Sequence, residues 1–357
     1  MNKIPVVFAI NDRYVVQLSV VVTSIVKNHK GNLPLEFNIL NSDISENNKN
    51  NLLKLESLKP NVKINFIDIR QYTKPEILEK YLSVRENYSY ITVETYFRFF
   101  IPEIFADYSK ILYLDADILV LDDVEKLFDE DIENNYVGAV EDVCIKSLVA
   151  NEKYKTSLFN ELSFVQYFSK KLKKKTNKYF NAGVMLMNLD KIRKDDKVRQ
   201  LWNFVAENSP LEFQDQDVLN VVFEGNIKYL DYKWNILHNT FKYAKRLSKR
   251  EQTAELVRAA RAPAIYHYAG GDAKPWQLQK KIAKFSYIKE WWTYFENTPF
   301  YSAEHQLLKG YHDLYMTRFQ TDNVFCIKIF NFKFIEIMKI GSVLRFEFFN
   351  LLKFNIK

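Results

Sequence analysis

The sequence predicts an α/β protein, a mostly parallel sheet with helices on both faces, and three observations carry that reading. Short apolar runs of strand length alternate with longer stretches of helical periodicity over the first 70 residues. Parallel strands need crossover connections of that kind. Apolar residues make up 47% of the 357, and 28 Phe and 22 Tyr stand against only 8 Gly, so a large core must be buried. That composition excludes collagen-like, low-complexity and disordered classes. The two cysteines, Cys144 and Cys326, supply neither a disulfide framework nor a Cys-based zinc site.

In chain order, Ile4–Ile10 has strand length, and Val15–Lys30 sets Leu18, Val21, Val22 and Ile25 at helical spacing. Leu35–Leu40 reads as a strand. Ser45–Leu58 reads as a helix with Leu52, Leu55 and Leu58 on one face, stopped by Pro60. Val62–Ile67 is a third strand, and Thr92 stands as an N-cap before a helix through Phe100. Lys110–Leu114 is a buried strand, followed by Asp115-Ala116-Asp117 and a second apolar run, Ile118–Leu121. Val137–Glu141 and Gly183–Asn188 are further strands, Lys191–Asn208 and Gln216–Phe223 helices, and Ala264–Tyr268 a late strand. The dense basic run Lys170–Lys175 reads as a solvated helix face, or alternatively as an anion-facing edge.

The formal net charge is +7. From Lys280 onward 12 basic residues face 7 acidic ones, so most of the excess lies in a C-terminal segment where Phe and Lys interleave. Residues 279–357 are therefore expected to form a basic, aromatic, helical tail after a domain spanning 1–278. The tail either packs as a small subdomain or meets an anionic membrane surface, where rings sit at headgroups and Lys meets lipid phosphate. Nucleic acid is not an expected partner, because no basic stripe with groove-reading elements is present. No apolar run reaches about 18 residues. The short N-terminal stretch Val6–Ile10 is cut off by Asn11-Asp12-Arg13, too soon for a signal peptide. The expected location is cytoplasmic.

Asp115-Ala116-Asp117 is the most informative local feature. Two carboxylates flank one small residue just beyond a buried strand, where α/β sheets present ligands. Positions i and i+2 of an extended chain project to one side, and two like charges held together call for a cation. Hard oxygen ligands suit Mg²⁺ or Mn²⁺ shared with substrate phosphates. His267, at the end of an apolar strand, reads either as a satisfied core histidine or as a nitrogen ligand. The turn after it, Gly270-Gly271 with Lys274, could offer a phosphate-binding cation. Asn181-Ala182-Gly183 and Gln214-Asp215-Gln216-Asp217 could hydrogen-bond sugar hydroxyls, although helix capping explains Asp215 equally well.

Taken together and in order, Phe8–Tyr14, Thr95–Arg98, Leu112–Asp117, Phe180–Val184, Gln214–Asp217 and His267…Lys274-Pro275-Trp276 resemble glycosyltransferase family 8 over residues 4–276. The subgroup they look most like is the bacterial lipopolysaccharide galactosyl- and glucosyltransferases. The resemblance implies a GT-A fold with a Rossmann-like sheet, a UDP-sugar donor, Mn²⁺ (with Mg²⁺ as the alternative) and retention of anomeric configuration. By motif, Asp115, Asp117 and His267 would ligate the metal. Ala9, Asn11, Arg13, Tyr14 and Ala116 would line the uridine pocket, while Gly270, Gly271 and Lys274 would hold the phosphates. Arg98, Asn181, Ala182, Asp215 and Gln216 would surround the donor sugar, with Asp215 and Gln216 nearest the chemistry. Departures from the family pattern are Asn rather than Asp at position 11, the large Arg13, and one extra residue between His267 and Lys274.

The resemblance further implies a glycan or glycolipid acceptor, such as lipopolysaccharide core, at the inner face of the cytoplasmic membrane. A self-glucosylating, glycogenin-like role and another nucleotide-sugar enzyme are the alternative readings. A nucleotidyltransferase is disfavoured, because Ile10–Thr23 lacks the Gly and Lys of a phosphate loop.

Overall fold

The computed structural model describes residues 2–73, 93–159, 161–247, 250–270, 274–277 and 287–302, with 305–306, 309 and four strands between 324 and 356. Cα packing divides the chain into one unit of residues 1–274 and 283–301 and a second of 275–282 and 302–357. The first unit thus takes in residues beyond the boundary expected at 278.

Among the described residues, ten strands belong to the first unit: β1 (Ile4–Ala9), β2 (Leu35–Asn41), β3 (Val62–Asp68), β4 (Lys110–Leu114), β5 (Ile118–Val120), β6 (Val137–Glu141), β7 (Phe180–Asn188), β8 (Ile227–Tyr229), β9 (Ile236–Leu237) and β10 (Ile265–His267). Seven of them form one sheet in the order β3-β2-β1-β4-β7-β6-β8. Only β7 runs against its neighbours β4 and β6. The sheet is buried on both sides, as the unbroken apolar reading of β1 requires. Val6 and Phe8 pack under helix Val15–Asn28, whereas Val7 faces the aromatic layer of Tyr96, Phe97 and Phe99. A helix at Ile288–Phe295 buries Trp291, Trp292 and Phe295. It is tied to the long helix by Asn28 Nδ2, which donates to the Tyr294 hydroxyl at 2.7 Å.

The second, small sheet, β5-β10-β9, decides where the chemistry sits. β5 continues directly from Asp117, and β10 pairs antiparallel with it so that His267 lies opposite Ile118. On its other side β10 runs parallel to β9, with His267 opposite Leu237. Two residues 150 positions apart are thereby brought side by side.

Several expectations change. The tail expected to be helical contains instead a four-stranded antiparallel meander: β11 (Val324–Ile329), β12 (Phe332–Ile340), β13 (Val343–Phe348) and β14 (Leu352–Ile356). The reason lies in the sequence. Leu-Arg-Phe-Glu-Phe alternates with period 2, as do Phe-Lys-Phe and Ile-Glu-Ile on either side of a phase break where β11 and β12 slip register, and their apolar residues are β-formers. The expected helix Lys191–Asn208 is broken at Asp196, which adopts φ +50° between helices Leu189–Lys194 and Lys197–Asn208. The stretch after Thr92 is a 3₁₀ segment, Val93–Phe100, closed by a helical turn at Ile101–Ile104; Thr92 itself lies outside the described residues. Nor is the basic run wholly solvated. Lys174 is fully buried and donates to the Asn220 carbonyl at 2.8 Å and to Glu224 at 3.2 Å. Among the described residues no helix is long and apolar enough to cross a membrane.

Candidate active site

The carboxyl ends of β1, β4 and β6, the start of β7 and the end of β10 converge on one cleft. β4 delivers Asp115, whose N–H donates to the Gly183 carbonyl at 2.8 Å and so stays locked to β7. Asp115 Oδ1 is saturated: the Tyr113 hydroxyl donates to it at 2.9 Å and Arg98 at 3.1 Å. Oδ2 is left facing His267, whose Nε2 lies 3.9 Å from it and 3.2 Å from Asp117 Oδ1. One ligand atom from each of Asp115, Asp117 and His267 falls within 4.8 Å of the others. Lys274 Nζ donates to Asp117 Oδ2. Burial works against the Asp117 carboxylate, but the Lys274 ammonium and His267 outweigh it and hold its pKa well below the usual range.

No side chain could replace the hydrogen of Gly183. A Cβ there would lie 2.4 Å from His267 Cε1 and 2.8 Å from Asp115 Oδ2, so the backbone of β7 forms the floor on which the triad rests.

Arg98 is the buried organiser beside the triad. Its guanidinium donates to the Ala182 carbonyl at 2.9 Å, pairs with Asp215 at 3.1 Å, and lies over the Tyr113 ring at 4.4 Å. Burial disfavours its charge, yet Asp215, Tyr113 and Asp115 outweigh that and keep it firmly protonated. Asp215 has both oxygens engaged, because the Thr95 hydroxyl donates to Oδ1 at 2.9 Å. Burial nevertheless raises its pKa, against the opposing pull of Arg98. The turn before it is strained. Gln214 sits at φ +49°, ψ −123°, held by the Tyr96 hydroxyl donating to its Oε1 at 2.6 Å. A non-glycine residue in that region persists only where its surroundings impose it. Gln216 is equally fixed: the Ala182 N–H donates to its Oε1 at 2.9 Å, and its Nε2 points to Asp142 at 3.4 Å.

Two cavities meet across the acid pair. The smaller, about 220 Å³, is lined by Ala9, Asn11, Tyr14, Glu94 and Ala116. The larger, about 510 Å³, is lined by Asn181, Ala182, Asp215, Gln216, His267 and Gly270 together with Asp142, Phe213, His238 and Tyr243. Thr95, Arg98, Asp115 and Asp117 border both. Burial, with Asp117 and Asp115 nearby, pushes the Tyr14 hydroxyl up to about 12. Arg13 lies exposed and borders neither cavity, and Gly271 is outside the described residues.

Sequence reasoning gave no role to Glu94, Asp142 and Asn235, nor to Thr95 and Tyr113, which stood inside its motifs. Of these, Asn235 carried a signal, a polar residue inside the apolar run Trp234–Leu237.

The comparison that decides the class is a family model, described as glycosyl transferase family 8, which matches residues 5–280. The chain belongs to that family. It is accordingly a sugar transferase. It is similar to General stress protein A of Bacillus subtilis, 28% identical over 284 residues that cover 77% of this chain and 88% of the relative. It is also similar to glycosyltransferase GlyF of Streptococcus pneumoniae serotype 4, 29% identical over 81% of this chain and 60% of the relative. Among solved structures, the WbbM bifunctional glycosyltransferase matches with a TM-score of 0.73 and 26% identity, covering 87% of this chain. This chain spans about half of that larger protein, 52%. The seven-stranded, mostly parallel sheet is that of the GT-A fold expected from the sequence.

Proposed function

We propose that this family 8 enzyme moves a hexose, galactose or glucose, from a UDP-sugar to a hydroxyl of a surface-glycan acceptor such as lipopolysaccharide core, with retention and with Mn²⁺ (or Mg²⁺) as cofactor. The observation that carries the reading is the triad at the junction of the two cavities. A ring nitrogen and two carboxylates face one another there, an arrangement that suits a divalent cation.

Asp115, Asp117 and His267 would hold the ion. Bound there, it would supply positive charge to a diphosphate as its bond to the sugar breaks. Ala9, Asn11, Tyr14 and Ala116 would accept the uridine in the smaller cavity. Lys274 and the turn at Gly270 would offer the phosphates an ammonium and backbone N–H groups. Asn181, Asp215, Gln216 and the carbonyl of Ala182 would orient the sugar in the larger one. Arg98 bridges the two halves and pairs with Asp215.

Same-face attack follows from how the nearby carboxylates are engaged. Asp215 is taken up by Arg98 and Thr95, and Asp142 accepts from Ile145 N–H, Asn181 and Gln216. Gln216 presents only a tethered amide. None is a ready nucleophile. The acceptor oxygen therefore forms its bond to the anomeric carbon on the side from which the phosphate leaves. The electron pair of the broken bond goes to the phosphate oxygen, which takes up the acceptor's proton. Trapping a glycosyl adduct on Asp215 or Gln216 would refute this step.

The test is a panel of nucleotide sugars with Mn²⁺, following hydrolysis without acceptor. UDP-glucose or UDP-galactose should be cleaved and GDP- or CMP-sugars spared, and Asp117→Ala should abolish cleavage. Hydrolysis that survives Asp117→Ala would overturn the reading. For the basic C-terminal segment we propose peripheral contact with an anionic bilayer at the cytoplasmic face. Ending the chain after Phe319 should release it from vesicles and spare hydrolysis; sedimentation of the shortened chain with vesicles would refute that.

A further inference from the structure

We infer that Asn235 is a positioning residue that fixes His267 as its Nδ1–H tautomer and thereby leaves Nε2 bare toward Asp115 and Asp117. The inference rests on the proposed metal-dependent transfer for its purpose, but the Nδ1 proton follows from the amide relay: the competing acceptor, Asp117 Oδ1 at 3.2 Å from Nε2, belongs to a carboxylate already paired with Lys274.

A backbone N–H can only donate. That of Gly183 meets Asn181 Oδ1 at 3.0 Å, which identifies the atom as oxygen. Asn181 then turns its NH₂ to the Asp142 carboxylate at 2.9 Å, a matching acceptor. Asn235 reaches the same Asn181 oxygen at 2.9 Å and must do so with its own NH₂, since an oxygen there would set two acceptors face to face. Its Oδ1 is thereby aimed at His267 Nδ1, 3.0 Å away. An amide oxygen carries no hydrogen, so the proton lies on Nδ1. Asn181, Asn235 and His267 are all buried, so water cannot relieve a mismatch. The chain supports this relay locally. Asn235 ends the 3₁₀ turn Tyr232–Asn235 and runs straight into β9, the strand that registers His267 through Leu237. A ring nitrogen whose partner fixes the other nitrogen's proton is a stronger and better aimed ligand.

The experiment is long-range ¹H–¹⁵N NMR of the imidazole nitrogens in metal-free full-length protein at alkaline pH, paired with Mn²⁺ titration of wild type, Asn235→Asp and Asn235→Leu. Wild type should show a protonated Nδ1 and a bare Nε2 at His267. Asn235→Asp keeps the acceptor toward Nδ1 and should keep that pattern, at a cost in stability from losing the NH₂ that meets Asn181 Oδ1. Asn235→Leu should mix the tautomers and weaken Mn²⁺ binding about 10- to 100-fold. A wild-type ring protonated on Nε2 overturns the inference. So does a folded Asn235→Leu protein with an unchanged ring pattern and Mn²⁺ affinity within twofold of wild type. If Asn235→Leu does not fold, the wild-type and Asn235→Asp spectra decide alone. A wild-type chain with the Nδ1–H pattern that binds no Mn²⁺ supports the tautomer and refutes the functional reading.

Discussion

Adding one methyl group at Gly183 should disable the triad while leaving most of the fold intact. The Cβ of Gly183→Ala would meet His267 Cε1 at 2.4 Å and Asp115 Oδ2 at 2.8 Å, where ordinary van der Waals contact begins at 3.4 Å. The ring must therefore retreat by 3.4 − 2.4 = 1.0 Å or the strand must shift by as much. Metal–ligand distances tolerate only about 0.2 Å. A displacement of that size should cost Mn²⁺ affinity about 100-fold, near 2.7 kcal/mol, and turnover at least about 100-fold. Overpacking should lower global stability by about 1–3 kcal/mol. Calorimetric Mn²⁺ titration, hydrolysis rates and thermal unfolding read the three effects separately. Gly225→Ala is the control: its Cβ enters open space, but at φ +87°. It should cost about 1 kcal/mol of backbone strain and leave Mn²⁺ affinity unchanged. Wild-type Mn²⁺ binding by Gly183→Ala would refute the geometric argument.

Further outcomes follow from other buried groups. Arg98→Met leaves Asp115 and Asp215 without their cation; it should destabilise the fold by about 3–5 kcal/mol and abolish hydrolysis, read by chemical denaturation and turnover. Lys174→Met strips Glu224 and the Asn220 carbonyl of their donor without touching the cleft, so stability should fall by about 1–3 kcal/mol while hydrolysis per folded molecule holds. Asp217 accepts hydrogen bonds from the Tyr167 and Tyr179 hydroxyls, both at 2.7 Å. Burial raises its pKa from 3.8 to about 6. The native state then holds a proton that the unfolded chain has released, so this group's contribution to stability declines as pH rises from about 4 to 6 and is level above. Asp217→Asn should flatten the unfolding profile across that window.

Much of the architecture was legible because burial on both faces leaves uninterrupted apolar runs. β1, β2, β3, β4 and β6 fall within a residue or two of their expected limits, and the acid pair stands just past β4 as expected. Other features could not be read from local pattern, each for a physical reason. The meeting of His267 with Asp117, implied only by the family resemblance, depends on β5–β10 pairing, and local periodicity carries no register. Arg98 was expected beside the donor sugar by resemblance; only the folded chain shows it clamped between Asp115, Asp215 and the Ala182 carbonyl. In the C-terminal segment, richness in Phe and Lys drew attention from the period-2 alternation that specifies strands there. Lys174 shows the same limit: charge density along a chain does not say which ammonium finds a buried partner.

The most direct measurement of the central claim is calorimetric titration of UDP into the full chain with Mn²⁺ and again with a chelator. Tight uptake with the ion, at least about tenfold weaker uptake without it, and loss of that difference in His267→Ala are the results the account predicts. Equal UDP affinity in both conditions, or an undiminished Mn²⁺ effect in His267→Ala, would contradict it.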